Sequence, residues 1–250
     1  MKTTLSFLVG LLAVMNMSAA EPIKVGHRGS LWGVENTRAA FANGAKRYTW
    51  LECDVRMSAD SIFVISHDEN TERLGGKLVV AEAPLSDLKA ERYTQTRADI
   101  IYTGEISTLA EYLQQCKDAG VNCVVEMKWT PGVNSKDTSL IPALMAEIEK
   151  AGMTDNVIML TSMKPCLEVI GRDFPHVKRQ FLGGNKWKES LDWIKAQNID
   201  VDLIHTAVTA EDVAMLHDLG LKVNVWTIDS PERAQELTDM GVDFITTNKL

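Results

Sequence analysis

The sequence predicts an α/β fold, a (β/α)8 TIM barrel with a small insertion after the second barrel strand. Three observations carry this. Short apolar runs alternate with stretches of helical periodicity along nearly the whole chain, the pattern of a mostly parallel sheet. Once one hairpin arm is set aside, the runs that read as parallel strands number eight, the count of a closed barrel. Charged residues also stand at the C-terminal ends of runs far apart in sequence, and a barrel gathers such ends at one mouth. A doubly wound open sheet fits the alternation but gives no reason for that gathering.

Residues 1–20 precede the fold. Lys2 supplies a positive start, Leu5 to Met15 form an apolar stretch too short to span a bilayer, and Ser18-Ala19-Ala20 offers a small-residue cleavage site. The mature chain is expected to begin at Glu21 and to be exported, to the periplasm or beyond; an uncleaved anchor is the alternative. No later stretch is long and apolar enough for stable membrane insertion.

Ile23–His27 reads as the first strand, and Asn36-Thr37 as the cap of a helix running to about Tyr48. Trp50–Arg56 is the second strand. Only Met57 to Ser61 separates it from the apolar run Ile62–His67, too few residues for a crossover helix, so that run must double back beside the mouth. Residues 68–107 are irregular, with Gly75-Gly76, Pro84 and a short helix near Ser86–Glu91, and read as a small capping insertion. A capped helix follows over Ser107–Ala119. Strands are then expected near Cys123–Met127, Val157–Thr161, Arg179–Leu182, Asp202–His205, Lys222–Thr227 and Phe244–Thr247. The intervening helices include Ile141–Ala151, Glu189–Ala196, Ala210–Leu219 and Pro231–Met240. Residues 21–250 form one domain on this reading, a length barrels reach undivided.

Formal net charge is −8, or −9 without Lys2, and no Lys/Arg run occurs, which argues against nucleic acid and anionic membrane surfaces as partners. The four cysteines, Cys53, Cys116, Cys123 and Cys166, have no zinc or redox spacing. Cys53 alternates with Glu52 and Asp54, so it faces the helix layer and reads as a buried thiol rather than a disulfide partner.

The chemistry lies at the strand ends. Glu52 and Asp54 are two apart in a strand and share a face, where like charges repel and burial adds to the cost. A divalent cation resolves both problems, and Glu126, at the end of a neighbouring strand, can supply a third oxygen. All-oxygen ligation favours one Mg2+ or Ca2+ over zinc or copper. The competing reading is a set of carboxylates salt-bridged to Arg28 and Lys128 with no metal. His27 and His67 end strands that flank the site, and histidine serves as acid or base near neutral pH. Arg28 and Lys128 are natural clamps for a phosphate. Trp226 should reach the mouth, either as an apolar wall for substrate carbon or as core. His205 ends a strand and either lines the pocket or is structural; Glu35 is placed to brace the loop after His27.

His27-Arg28-Gly29, Glu35-Asn36-Thr37, Glu52-x-Asp54, His67-Asp68, Glu126-x-Lys128 and Trp226-Thr227, in this order, resemble the glycerophosphodiester phosphodiesterase family, within the phospholipase-C-like phosphodiesterases. The resemblance spans about Val25 to Asn248. It implies a metal-dependent hydrolase that converts glycerophosphodiesters to sn-glycerol 3-phosphate and an alcohol. Glu52, Asp54 and Glu126 would be its metal ligands, His27 the base and His67 the leaving-group acid, with Arg28 and Lys128 on phosphate. Val34 and Ser107 replace prolines usual in the family, and Asn248 stands where aspartate is commoner. Two alternatives stay open: a lysophospholipase D-like or other lipid phosphodiesterase on the same barrel, and a barrel that binds a phosphorylated ligand without turnover.

Overall fold

The structure, a computed structural model, describes residues 20–128 and 138–250. Apart from Ala20, the leader expected over residues 1–20 lies outside them. β1 (Ile23–Gly26) leads through loop 27–37 to α1 (Arg38–Gly44), and β2 (Trp50–Met57) turns back into β3 (Phe63–Ile65). The insertion carries α2 (Leu85–Ala90), β4 (Tyr93–Arg97) and β5 (Ile100–Gly104). β6 (Ser107–Thr108) runs into α3 (Leu109–Ala119). Strands and helices then alternate: β7 (Asn122–Met127), α4 (Ile141–Ala151), β8 (Val157–Thr161), α5 (Lys164–Asp173), β9 (Lys178–Gly183) and α6 (Leu191–Gln197). The chain closes with β10 (Asp200–Ile204), α7 (Ala210–Asp218), β11 (Val223–Trp226), α8 (Pro231–Met240) and β12 (Phe244–Thr247).

The eight parallel strands close in the order β1-β2-β7-β8-β9-β10-β11-β12, with β12 back against β1. The run after β2 does double back. β3 pairs antiparallel with β2, and β6 pairs antiparallel with β3, so the pair extends the ring at one edge. Strand alternation sorts the side chains. Leu51, Cys53 and Val55 of β2, Cys123 and Val125 of β7 and Val157 and Met159 of β8 join the helix-side core. Val25, Trp50, Val124, Ile158, Leu160 and Phe244 fill the barrel interior. All four cysteines are buried, and Cys53 lies on the helix side as its alternation requires.

Local chemistry explains most of the boundaries. Thr108 with Glu111, and Thr209 with Asp212, form reciprocal caps at the starts of α3 and α7. The expected Asn36-Thr37 cap is not made. Thr37 occupies the cap position but donates its hydroxyl back to the Val34 carbonyl, and the Asn36 amide is turned toward Asp54. The β4–β5 hairpin falls where the sequence pattern is irregular. Its polar run Thr94-Gln95-Thr96-Arg97 lacks an apolar stripe, and its turn puts Ala98 and Asp99, rather than glycine, at φ 46° and 64°.

Candidate active site

The loop after β1 builds one side of the mouth. Arg28 and Gly29 take φ 49° and 90°, and a Cβ on Gly29 would stand 2.8–2.9 Å from Ala40 and Phe41. Only glycine permits that approach. The left-handed turn directs the Arg28 N–H to Glu52 Oε2 at 2.7 Å and the Gly29 N–H to the Glu52 carbonyl at 3.2 Å. Arg28 Nη1 donates to Glu35 Oε1 at 2.8 Å, and its Nε lies 3.3 Å from Asp54 Oδ2. Glu35 braces this loop as expected. It also accepts from Arg73 and Gln95 of the insertion, and these donors hold its carboxyl far below the usual range against the opposing effect of burial.

Glu52 and Asp54 of β2 and Glu126 of β7 bring oxygens within 4.8 Å of one another. Burial, then the charges of Asp54 and Glu126, push Glu52 well above its ordinary value. Burial and Asp54 likewise raise Glu126 to about 7. Asp54 behaves oppositely. Burial alone would raise it, but Lys128 and Arg28 outweigh that and hold it at about 2. Lys128 Nζ lies 3.2 Å from Asp54 Oδ1 and also donates to Glu126, while Asn36 Nδ2 donates to Asp54 Oδ2 at 2.7 Å. Even so, Glu52 Oε1 is buried without a hydrogen-bond partner among the described residues. A hard-oxygen set with an orphaned carboxylate oxygen fits a divalent cation, which two side-chain cations on its flanks do not replace.

The two histidines are held through their Nδ1 atoms. His27 Nδ1 meets Asn248 Oδ1 at 3.0 Å. The orientation of Asn248 is fixed by Asp229, whose Oδ2 accepts from Asn248 Nδ2 at 2.7 Å and whose Oδ1 accepts from the Asn248 backbone N–H at 2.8 Å. The amide oxygen therefore faces His27, Nδ1 carries the proton and donates it, and Nε2 keeps its lone pair. Burial, then Arg28, lowers the His27 pKa to about 4. His67 Nδ1 donates to Asp68 Oδ1 at 2.7 Å, and Asp68 also accepts from Arg73. Burial lowers His67 too, with Asp54 and Asp68 acting against it.

Seven of the predicted site residues, His27, Arg28, Glu52, His67, Glu126, Lys128 and Trp226, line a single cavity of 160 Å3 at the barrel mouth. Asp54, the eighth, is buried beside them in the carboxylate trio. A larger groove of 740 Å3 runs over the outer surface by α1 and α3, lined mostly by residues of those two helices, and no convergent chemistry lines it. His205 is not among the residues that line the mouth cavity; its Nδ1 accepts from Arg233 Nε at 3.2 Å, and its carbonyl accepts from Arg233 Nη2.

Asn36, Arg73, Gln95, Asp229 and Asn248 carry no local sequence signal of their contacts with site residues. All five are polar residues of loops or the insertion, and their roles rest on contacts across 18 to 221 positions of chain. Asp202 also faces the cavity. It had a readable signal, a carboxylate inside the apolar run Val201-Asp202-Leu203-Ile204.

The model of the glycerophosphoryl diester phosphodiesterase family matches residues 25–250. A glycerophosphodiester phosphodiesterase of Caldanaerobacter subterraneus subsp. tengcongensis is 26% identical over 238 residues, covering 90% of this chain and 93% of that one. Among solved structures, a phosphodiesterase of Oleispira antarctica in complex with the product sn-glycerol-3-phosphate superposes with a TM-score of 0.77. It is 22% identical and covers 91% of this chain and 93% of its own. The glycerophosphodiester phosphodiesterase of Thermotoga maritima gives 0.70 at 24% identity, covering 91% and 95%.

Proposed function

The chain belongs to the glycerophosphoryl diester phosphodiesterase family, and from that premise we propose that it hydrolyses glycerophosphodiesters to sn-glycerol 3-phosphate and an alcohol, with one Mg2+ or Ca2+ and a His27–His67 acid–base pair. The observation that carries this reading is the carboxylate trio flanked by two histidines, each committed through Nδ1 to a fixed partner.

Glu52, Asp54 and Glu126 would hold the cation, which when bound polarises a phosphoryl oxygen and makes a nearby hydroxyl more acidic. Lys128 and Arg28 face the same cavity and offset the charge of the phosphodiester. His27 is the base, because its Nε2 lone pair is preserved by the Asn248 contact and the ring stays neutral above about pH 4. It takes the proton of the attacking hydroxyl, whether water or the glycerol 2-hydroxyl. His67 is the acid. Burial, then Arg28 and Lys128, lower its pKa in the free site, while Asp54 and Asp68 support the imidazolium. Its proton passes to the departing alcohol oxygen.

The cavity volume lies below the roughly 300–1,000 Å3 of sites for drug-sized ligands, which favours a short polar head group over a lipid tail. The test is 31P NMR of glycerophosphocholine incubated with the protein. Sn-glycerol 3-phosphate should appear, and phosphocholine in its place would refute the cleavage proposed. The leader at residues 1–20 supports export with maturation at Glu21, read by intact mass of the protein recovered from outside the cytoplasm.

A further inference from the structure

Asp202 is a buried carboxylate that the proposed chemistry leaves unused. Its neighbours Val201 and Leu203 join the helix-side core, so alternation along β10 turns Asp202 into the barrel. β10 stands four strands from β2 in either direction around the ring, which sets Asp202 on the wall opposite Glu52 and Asp54. The residue is 2% exposed, yet it lines the same cavity as His27 and Lys128. Its Oδ1 has no hydrogen-bond partner among the described residues.

On the adjacent strand, Asp202 pairs in register with Asn224, and Trp226 is the next residue of β11 on that face. Trp226 also lines the cavity, and its buried Nε1–H likewise lacks a partner. Two residues of one cavity wall thus carry a buried carboxyl oxygen and a buried indole donor, neither with a partner among the described residues. A buried polar group in that condition is costly unless a ligand completes it.

The ligand must donate to Asp202 and accept from the Trp226 N–H. A hydroxyl does both. An alkylammonium head group can only donate, a quaternary one does neither, and an acyl chain does neither.

We infer that Asp202 and Trp226 form a subsite for the glycerol hydroxyls, on the wall facing the carboxylate trio. The inference rests on the glycerophosphodiester reading above. Such a subsite selects the glycerol end of the substrate by hydrogen bonding and leaves the leaving alcohol to the outer part of the mouth.

Calorimetric binding of sn-glycerol 3-phosphate and of inorganic phosphate, both at saturating Mg2+, tests it in the full-length chain. Asp202→Val should weaken glycerol phosphate about tenfold, the equivalent of one lost hydrogen bond, and change inorganic phosphate less than about twofold. Asp202→Asn, which keeps a donor and an acceptor, should restore most of the affinity. Trp226→Phe removes the N–H and keeps a ring, and should reproduce part of the loss even if Asp202→Val fails to fold. Unchanged glycerol phosphate affinity in the folded variants would overturn the inference, as would equal losses for both ligands. A loss seen only as slower turnover of choline or ethanolamine diesters would make Asp202 a head-group residue and also overturn it. These results leave the reaction standing. Failure of the unaltered protein to cleave any glycerophosphodiester would overturn both.

Discussion

Metal binding at the carboxylate trio should release protons, so cation affinity must rise with pH. Glu126 sits at about 7 in the metal-free protein, raised by burial and by Asp54. With one such group, about one molecule in eleven has the ligand ionised at pH 6, and about ten in eleven at pH 8. The apparent Mg2+ or Ca2+ affinity should therefore climb about tenfold over that span, or about 1.4 kcal/mol. Glu52, also raised by burial and its two acidic neighbours, steepens the dependence. Stability of the metal-free protein follows the same linkage with opposite sign. The folded state holds the Glu126 proton between about pH 4.5 and 7 while the unfolded chain does not, so stability falls as pH rises through that window. The assay is calorimetric titration in buffers of different ionisation enthalpy at pH 6, 7 and 8. Glu52→Gln should reduce both the affinity and the proton count. Affinity constant within about twofold from pH 6 to 8, or unchanged in Glu52→Gln, would refute the metal site and leave the carboxylates salt-bridged to Arg28 and Lys128.

His27→Ala and His67→Ala should each cut turnover by about 100- to 10,000-fold while metal binding persists, read by steady-state rates beside the same titration. Near-normal rates in either variant would remove its acid–base role. Asn248→Leu should lower kcat about tenfold or more by releasing the His27 tautomer, with Asn248→Gln or an unaltered Mg2+ affinity separating positioning from misfolding. Arg28→Ala should weaken inorganic phosphate binding more than Mg2+ binding. The reverse order would mean that Arg28 serves only to brace Glu35 and Asp54.

The barrel was legible because its strands are short, apolar and separated by helical periodicity, and because five residues between β2 and β3 cannot hold a crossover helix. The carboxylate cluster was legible for a local reason: Glu52 and Asp54 share a strand face, and Glu126 lies near the end of the next strand of the ring. What escaped is long-range. The Asn36 amide reads as a helix cap, yet Asp54 competes for it across the mouth. Arg73 and Gln95 lie in an insertion without periodicity, and only the fold brings them to Glu35. Asn248 and Asp229 couple to His27 because barrel closure sets β12 beside β1, a contact between the two ends of the chain that no local pattern encodes.

The most direct measurement of the central claim is sn-glycerol 3-phosphate release from glycerophosphocholine, glycerophosphoethanolamine and glycerophosphoglycerol. The protein is first stripped with EDTA and then resupplied with Mg2+ or Ca2+. Release should be absent in EDTA and recover with at least one cation. Release that persists in EDTA, or none with either cation from well-folded protein, would contradict the claim.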